Sequence, residues 1–166
     1  MSAEQAITEE VIIMISDESR RKLRELNLEP FIEALDHQEV YIKEYSSMPF
    51  DQRLDLMIDD CYTRKNNDRA KRLIRYAKLR YPNADIHSIY YDGRDLDKNQ
   101  ILLLSTGSFI DTPRNIVING FTGTGKTYLA CALGKEACRH LHRSRYIRMP
   151  DLLEMFNIAE QTWRSI

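Results

Sequence analysis

Cysteine is scarce in this chain of 166 residues: Cys61, Cys131 and Cys138 are the only three, and no CxxC pair exists. This excludes a disulfide scaffold and the common zinc and thiol-redox motifs. It points instead to free, buried thiols in a reducing cytoplasm. Cys131 and Cys138 lie seven residues apart, a helical spacing suited to packing rather than to metal. Long apolar runs are also missing. Val11–Ile15 has five residues and Tyr128–Leu133 six, against about 20 for a membrane-crossing helix, so no membrane partner is expected. Residues 1–10 carry acidic side chains and no basic segment, which speaks against a secretory leader and for a cytoplasmic location. The four histidines, His37, His87, His140 and His142, have no metal-ligand spacing with cysteines or carboxylates and receive no catalytic role.

A large net charge is lacking as well. The formal value is −1, with 43% apolar and 30% charged residues, the composition of a soluble globular protein. That balance conceals an uneven distribution. Residues 1–63 hold 6 basic and 15 acidic side chains, residues 64–80 hold 8 and 1, and residues 81–166 hold 10 and 9. One concentrated basic segment therefore follows an acidic one.

Residues 1–15 read as a loose arm. Ser16 or Asp17 can cap a helix over Ser19–Leu26, and Pro30 suits the first turn of a second helix. Ser46–Pro49 breaks that helix. A long helix then runs from Phe50 to about Leu79, with Asn66 and Asn67 as its weak point and an apolar stripe at Leu54, Met57, Ile58, Cys61 and Tyr62. Residues 16–80 thus form a small all-helical domain, and residues 81–112 a linker with a turn at Asp92-Gly93 and a short helix over Asp97–Leu104 that closes near Gly107. Residues 113–166 begin an α/β domain. A buried parallel strand over Asn115–Asn119 leads into a loop at Gly120–Gly125, a helix over Lys126–His142, a second strand over Arg145–Arg148 and a helix opened by Pro150 and Asp151. Ala130, Ala132, Gly134 and Ala137 would let the helix after the loop pack closely on the sheet.

Gly120-Phe121-Thr122-Gly123-Thr124-Gly125-Lys126-Thr127 matches the phosphate-binding pattern GxxxxGK[ST] at every defined position. The glycines let backbone N–H groups curl around phosphates without Cβ clashes. The helix that follows aims its N-terminal N–H groups and positive dipole end at the same anion. Lys126 would reach the β- and γ-phosphates of ATP and Thr127 would offer its hydroxyl to Mg²⁺; these two are the expected catalytic residues, with Tyr128 beside them in the binding set.

On the basic helix, Lys65, Arg69 and Arg72 share one stripe, and Arg64, Lys71, Arg75 and Lys78 share a neighbouring one. Two readings stay open for this face: contact with nucleic-acid phosphates, or a solvated surface that pairs with the acidic 1–63 segment. Tyr76, Tyr81, Tyr90 and Tyr91 interleave with the charges. Base stacking is open to them, though packing in the core or linker is the expected role.

The phosphate loop followed by Tyr128-Leu129-Ala130-Cys131-Ala132-Leu133-Gly134-Lys135-Glu136-Ala137-Cys138 resembles the IstB-like ATPases, helper proteins of bacterial insertion sequences and relatives of DnaC-type helicase loaders. Lys22–Leu26, Phe50–Leu54, the basic helix, Gly93–Asp97 and Arg148–Leu153 have counterparts there too. The resemblance implies an α/β P-loop NTPase of the AAA+ type, with an incomplete sheet, behind a small helical domain. It implies ATP and Mg²⁺ as cofactors, ATP-dependent self-assembly on double-stranded DNA, recruitment or activation of a transposase, and a Tyr90–Leu96 linker close to the nucleotide. No Asp-Asp or Asp-Glu pair follows Lys126 on an apolar strand, as the family's Walker B element requires, so the chain reads as truncated after the Walker A region. A helicase loader, or a DNA-binding fragment that does not hydrolyse ATP, are the alternatives.

Overall fold

The computed structural model describes residues 15–94, 96–112 and 114–164. The expected loose arm over residues 1–15 therefore lies almost wholly outside the described residues. The chain divides into two compact units, Met1–Asn66 and Asn67–Ile166.

In the first unit, α1 (Asp17–Glu25) opens on Ser16, whose side chain accepts the Ser19 N–H at 3.2 Å. It ends in a Schellman turn: Asn27 takes φ +56°, and the Leu28 N–H returns to the Leu23 carbonyl. Asparagine tolerates the left-handed region better than most residues, so the reversal into α2 (Glu29–Val40) is locally encoded. Pro30 stands in the first turn of α2, and α3 (Ile42–Tyr45) is a single turn before the Ser46–Pro49 break. The Arg20 guanidinium bridges α1 to Asp36 and Glu39 of α2. Ala34, Leu35 and Met57 form the small core, with Leu23, Phe31 and Leu54 packed around it. The long helix α4 (Phe50–Tyr76) buries Met57 and Cys61 but leaves Ile58 and Tyr62 exposed, so only part of the predicted stripe is core.

The second unit holds the larger core. Ala77, Leu79, Ala84, Ile86, Ile101, Leu129, Ala132 and Leu133 meet there, with Cys131 and Cys138 buried as free thiols. These residues come from the end of α4, a 3-10 turn over Ile86–Ser88, α5 (Lys98–Ser105) and α7 (Lys126–Arg139). Asp97 caps α5 through Asn99 N–H at 2.8 Å. Gly107, at φ +79°, separates α5 from α6 (Ser108–Asp111). The final helix, α8 (Met149–Arg164), has no buried residue.

The expected α/β fold is not what this structure shows. Among the described residues there is no strand and no sheet. A strand exists through its ladder with a neighbour, and no backbone hydrogen bond joins Asn115–Asn119 to Arg145–Arg148. Ile116 and Ile118 pack on the core while Val117, between them, is 77% exposed. The apolar run thus covers one face of the core and is not sandwiched between two layers. Tyr146 donates its N–H to the Ala77 carbonyl at 2.8 Å, at the end of α4, rather than to another strand. The small residues of α7 likewise serve a different neighbour. A Cβ at Gly134 would stand 3.4 Å from Leu79 Cδ2, so the close approach is to the segment after α4 and not to a sheet. Among the described residues no helix is long and apolar enough to cross a membrane.

Candidate nucleotide-binding site

The residues of the phosphate-binding motif lie together on the loop before α7 and in its first turn. Three glycines shape the loop, with φ of +153° at Gly120, +85° at Gly123 and +87° at Gly125. A Cβ at Gly120 would stand 3.1 Å from Thr124 Oγ1, closer than the loop accepts without shifting. Thr124 Oγ1 donates to the Phe121 carbonyl at 2.8 Å, which closes the turn.

Lys126 Nζ donates to the carbonyls of Gly120 at 2.8 Å and Phe121 at 2.6 Å. Its ammonium is thereby held across the mouth of the loop, and a third N–H donor remains for another acceptor. Gly125 is the N-cap of α7 and brings no side chain to cap it. The first-turn N–H groups of α7 therefore face the same mouth, with the positive end of the helix dipole behind them. Thr127 is half-buried in that turn. Tyr128 is half-buried too; its phenol oxygen accepts the Asp85 N–H at 3.2 Å and its ring lies 6.2 Å from that of Tyr81. Phe121, at 87% exposure, and Thr122 project outward.

Beside the loop lies a cavity of about 810 Å³, within the size range of small-molecule sites. The loop residues Gly120, Thr124, Gly125 and Lys126 form one wall, and Ser88, Ile89, Tyr90, Gly93, Arg94 and Leu96 of the linker form another. Arg94 enters from that linker. It follows a turn in which Gly93 takes φ +69° and the Arg94 N–H returns to the Tyr91 carbonyl at 3.1 Å. Its guanidinium lies over the Tyr90 ring at 6.0 Å, and its Nη1 would be 3.7 Å from a Cβ at Gly125. Asp92-Gly93 marks the turn in the sequence, and the family resemblance implies a Tyr90–Leu96 linker close to the nucleotide, but no local pattern singles out Arg94 itself as a neighbour of Gly125.

The donor set suits a polyphosphate: one ammonium, one guanidinium and a fan of N–H groups. It also suits Mg²⁺ arriving with the phosphates. A hard cation of this kind takes one or two protein oxygens and completes its shell from phosphate and water, and the Thr127 hydroxyl is such an oxygen. Among the described residues no group of three His, Cys, Asp or Glu side chains could hold a metal by itself.

The expected DNA-contact residues all belong to α4 or its end, but they differ in circumstance. Arg64 is paired with Asp60 at 2.9 Å and Glu33 at 2.6 Å, both of the first unit, and its pKa is raised, chiefly by the hydrogen bond to Asp60. Lys71 is paired with Asp68 at 3.2 Å. Lys65, Arg69, Arg72, Arg75 and Lys78 are exposed and make no ion pair among the described residues.

A profile of the family described as IstB-like ATP binding protein matches residues 21–166. A Pseudomonas fluorescens protein named for insertion sequence IS1162 and for ATP binding is 36% identical over 147 residues, covering 88% of this chain and 63% of the relative. A Sinorhizobium fredii insertion-sequence ATP-binding protein is 39% identical over 116 residues, covering 70% of this chain and 47% of the relative. The chain thus spans about half to two thirds of the length of these relatives. With the phosphate-binding motif inside the matched residues, the chain belongs to the family of IstB-like ATP binding proteins.

Proposed function

We propose that this chain binds ATP with Mg²⁺ in the cavity beside Gly120–Tyr128, as part of a helper protein for DNA transposition. The observation that carries the nucleotide assignment is the convergence of Lys126 Nζ and the uncapped first turn of α7 on one loop mouth. In this reading the backbone of Gly120–Gly125 wraps the phosphates, Lys126 neutralises the β- and γ-phosphates, and Arg94 adds a second cation at the rim. Thr127 orients the metal, which when bound offsets charge on the terminal phosphate. The linker wall at Ile89 and Tyr90 offers the base an apolar surface. In the whole protein this site would turn ATP and water into ADP and phosphate.

The unpaired cations of α4 would contact the phosphates of double-stranded DNA, and ATP would promote self-assembly there, presenting the assembly to a transposase. The insertion-sequence names of the relatives support this assignment. A sedimentation experiment with a 50-base-pair duplex tests it. Faster-sedimenting complexes are expected with ATP and Mg²⁺ and not with Mg²⁺ alone. Equal sedimentation in both conditions would remove ATP-dependent assembly from the account.

A further inference from the structure

The end of α4 carries a second concave site, about 540 Å³ in volume, that the nucleotide chemistry leaves unused. One wall is a single helical stripe, Arg69, Arg72 and Tyr76, with Leu73 at the base. The other is the Arg143-Ser144-Arg145 segment, about 70 residues later in the chain. Two backbone features bring the segments together. The end of α7 is a Schellman turn in which Leu141 takes φ +65° and the His142 N–H returns to the Ala137 carbonyl at 2.9 Å. The Tyr146 N–H then fastens the returning chain to the Ala77 carbonyl, next to Tyr76.

The result is four guanidinium groups around one cleft. None of the four makes an ion pair among the described residues, and no carboxylate lines the cleft. Such a concentration of like charge raises the local potential and attracts a polyanion. Tyr76 is 73% exposed, on the same helical stripe as Arg69 and Arg72. A cationic groove with an exposed aromatic ring is the arrangement that holds a single strand: arginines follow the backbone and the ring stacks on a base. A rigid duplex keeps its bases stacked inside and gives the ring nothing to stack on.

We infer that the cleft formed by Arg69, Arg72, Arg143 and Arg145 with Tyr76 binds a short stretch of single-stranded DNA. This rests on the DNA-contact reading of α4 and extends it to a strand separated from its partner.

The test uses the whole chain and fluorescein-labelled 20-nucleotide oligothymidine, followed by anisotropy at several salt concentrations, with a 20-base-pair duplex in parallel. Each phosphate contact contributes about −0.7 to the salt slope of single-strand binding. Arg143→Ala/Arg145→Ala should therefore flatten the oligothymidine slope by roughly 1.4, and Arg143→Lys/Arg145→Lys should keep it. Tyr76→Leu should weaken oligothymidine binding by roughly 5- to 150-fold with an unchanged slope, while Tyr76→Phe stays near wild type. Thermal melts of each variant establish that the fold is kept. If wild type binds duplex, and the double variant and Tyr76→Leu both bind oligothymidine as wild type does, the cleft proposal falls and the α4 reading stands. If wild type binds neither DNA, both fall.

Discussion

Gly125 is where the geometry of the candidate site is most exposed to a single substitution. It caps α7 at φ +87°, ψ +12°. An alanine there enters the left-handed region, at about 1–2 kcal/mol. Space is not the obstacle, because the added Cβ would meet only Arg94 Nη1, at 3.7 Å. Alanine also lowers the entropy of the unfolded chain, which offsets about 0.4–1 kcal/mol, so Gly125→Ala should destabilise by about 1 kcal/mol net. For a chain of this length that is a fall in Tm of about 2–4 °C. Nucleotide binding should suffer more. Relief of the strain turns the first N–H groups of α7 away from the phosphates, and loss of one hydrogen bond to a charged group, at roughly 1.5–3 kcal/mol, weakens affinity roughly 10- to 100-fold. Gly134→Ala is the matched control. Gly134 is helical, and its added Cβ would be in ordinary contact with Leu79 at 3.4 Å. Helix propensity favours alanine by up to about 1 kcal/mol, so this variant should melt at or above the wild-type temperature and bind nucleotide normally. Circular dichroism melts and a fluorescent-ATP titration read both quantities. A Gly125→Ala protein equal to wild type in both, or a Gly134→Ala protein that loses nucleotide, would refute the reasoning.

Tyr128→Phe removes the acceptor of the Asp85 N–H and should cost about 0.5–1.5 kcal/mol in a denaturant titration; an unchanged midpoint would mean that water replaces the phenol without loss. Asp85 caps the Ile86–Ser88 turn through the His87 N–H at 2.8 Å, and this bond, with Arg139 and Lys135 nearby, holds its carboxyl below the ordinary value. The unfolded state therefore binds the proton more readily. The stabilisation is complete above the ordinary carboxylate pKa of about 3.9 and is lost as pH falls through the lower folded value. Asp85→Asn should accordingly lower Tm at pH 6, with the gap to wild type closing below about pH 4; a gap that stays constant with pH would assign the loss to packing rather than charge.

The parts of this structure that local chemistry decides could be read in the sequence. Ser16 and Asp97 cap helices because their side chains reach N–H groups two or three residues on, and Pro30 enters a first turn where its missing donor costs nothing. Gly120–Gly125 forms a loop before the helix that Lys126 and Thr127 open, because the motif's glycines and its lysine act within eight residues. Pairing between distant segments could not be read this way. Ile116-Val117-Ile118 has the composition of a buried strand, yet whether an extended segment finds a ladder partner depends on the rest of the chain, and Tyr146 found the end of α4 instead. Arg94 beside Gly125, a nearness that only the family resemblance implied for its linker, and Arg143 and Arg145 beside Arg72, are convergences of the same kind. The second depends on Leu141 adopting a left-handed turn that sequence alone would assign to glycine. Tyr76, expected with the other interleaved tyrosines to pack in the core or linker, is exposed instead, because a ring among charges is covered only if a distant segment folds over it.

The central claim is that Gly120–Tyr128 binds ATP through Lys126, and titration of fluorescent ATP with Mg²⁺ into wild type and Lys126→Ala tests it most directly. Among the described residues Lys126 makes its hydrogen bonds only to the exposed loop carbonyls of Gly120 and Phe121, so the variant should keep the wild-type melt. Saturable binding by wild type, with loss of at least roughly tenfold in Lys126→Ala, is the predicted result. Equal binding by the two proteins, or none by a folded wild type, would contradict the account.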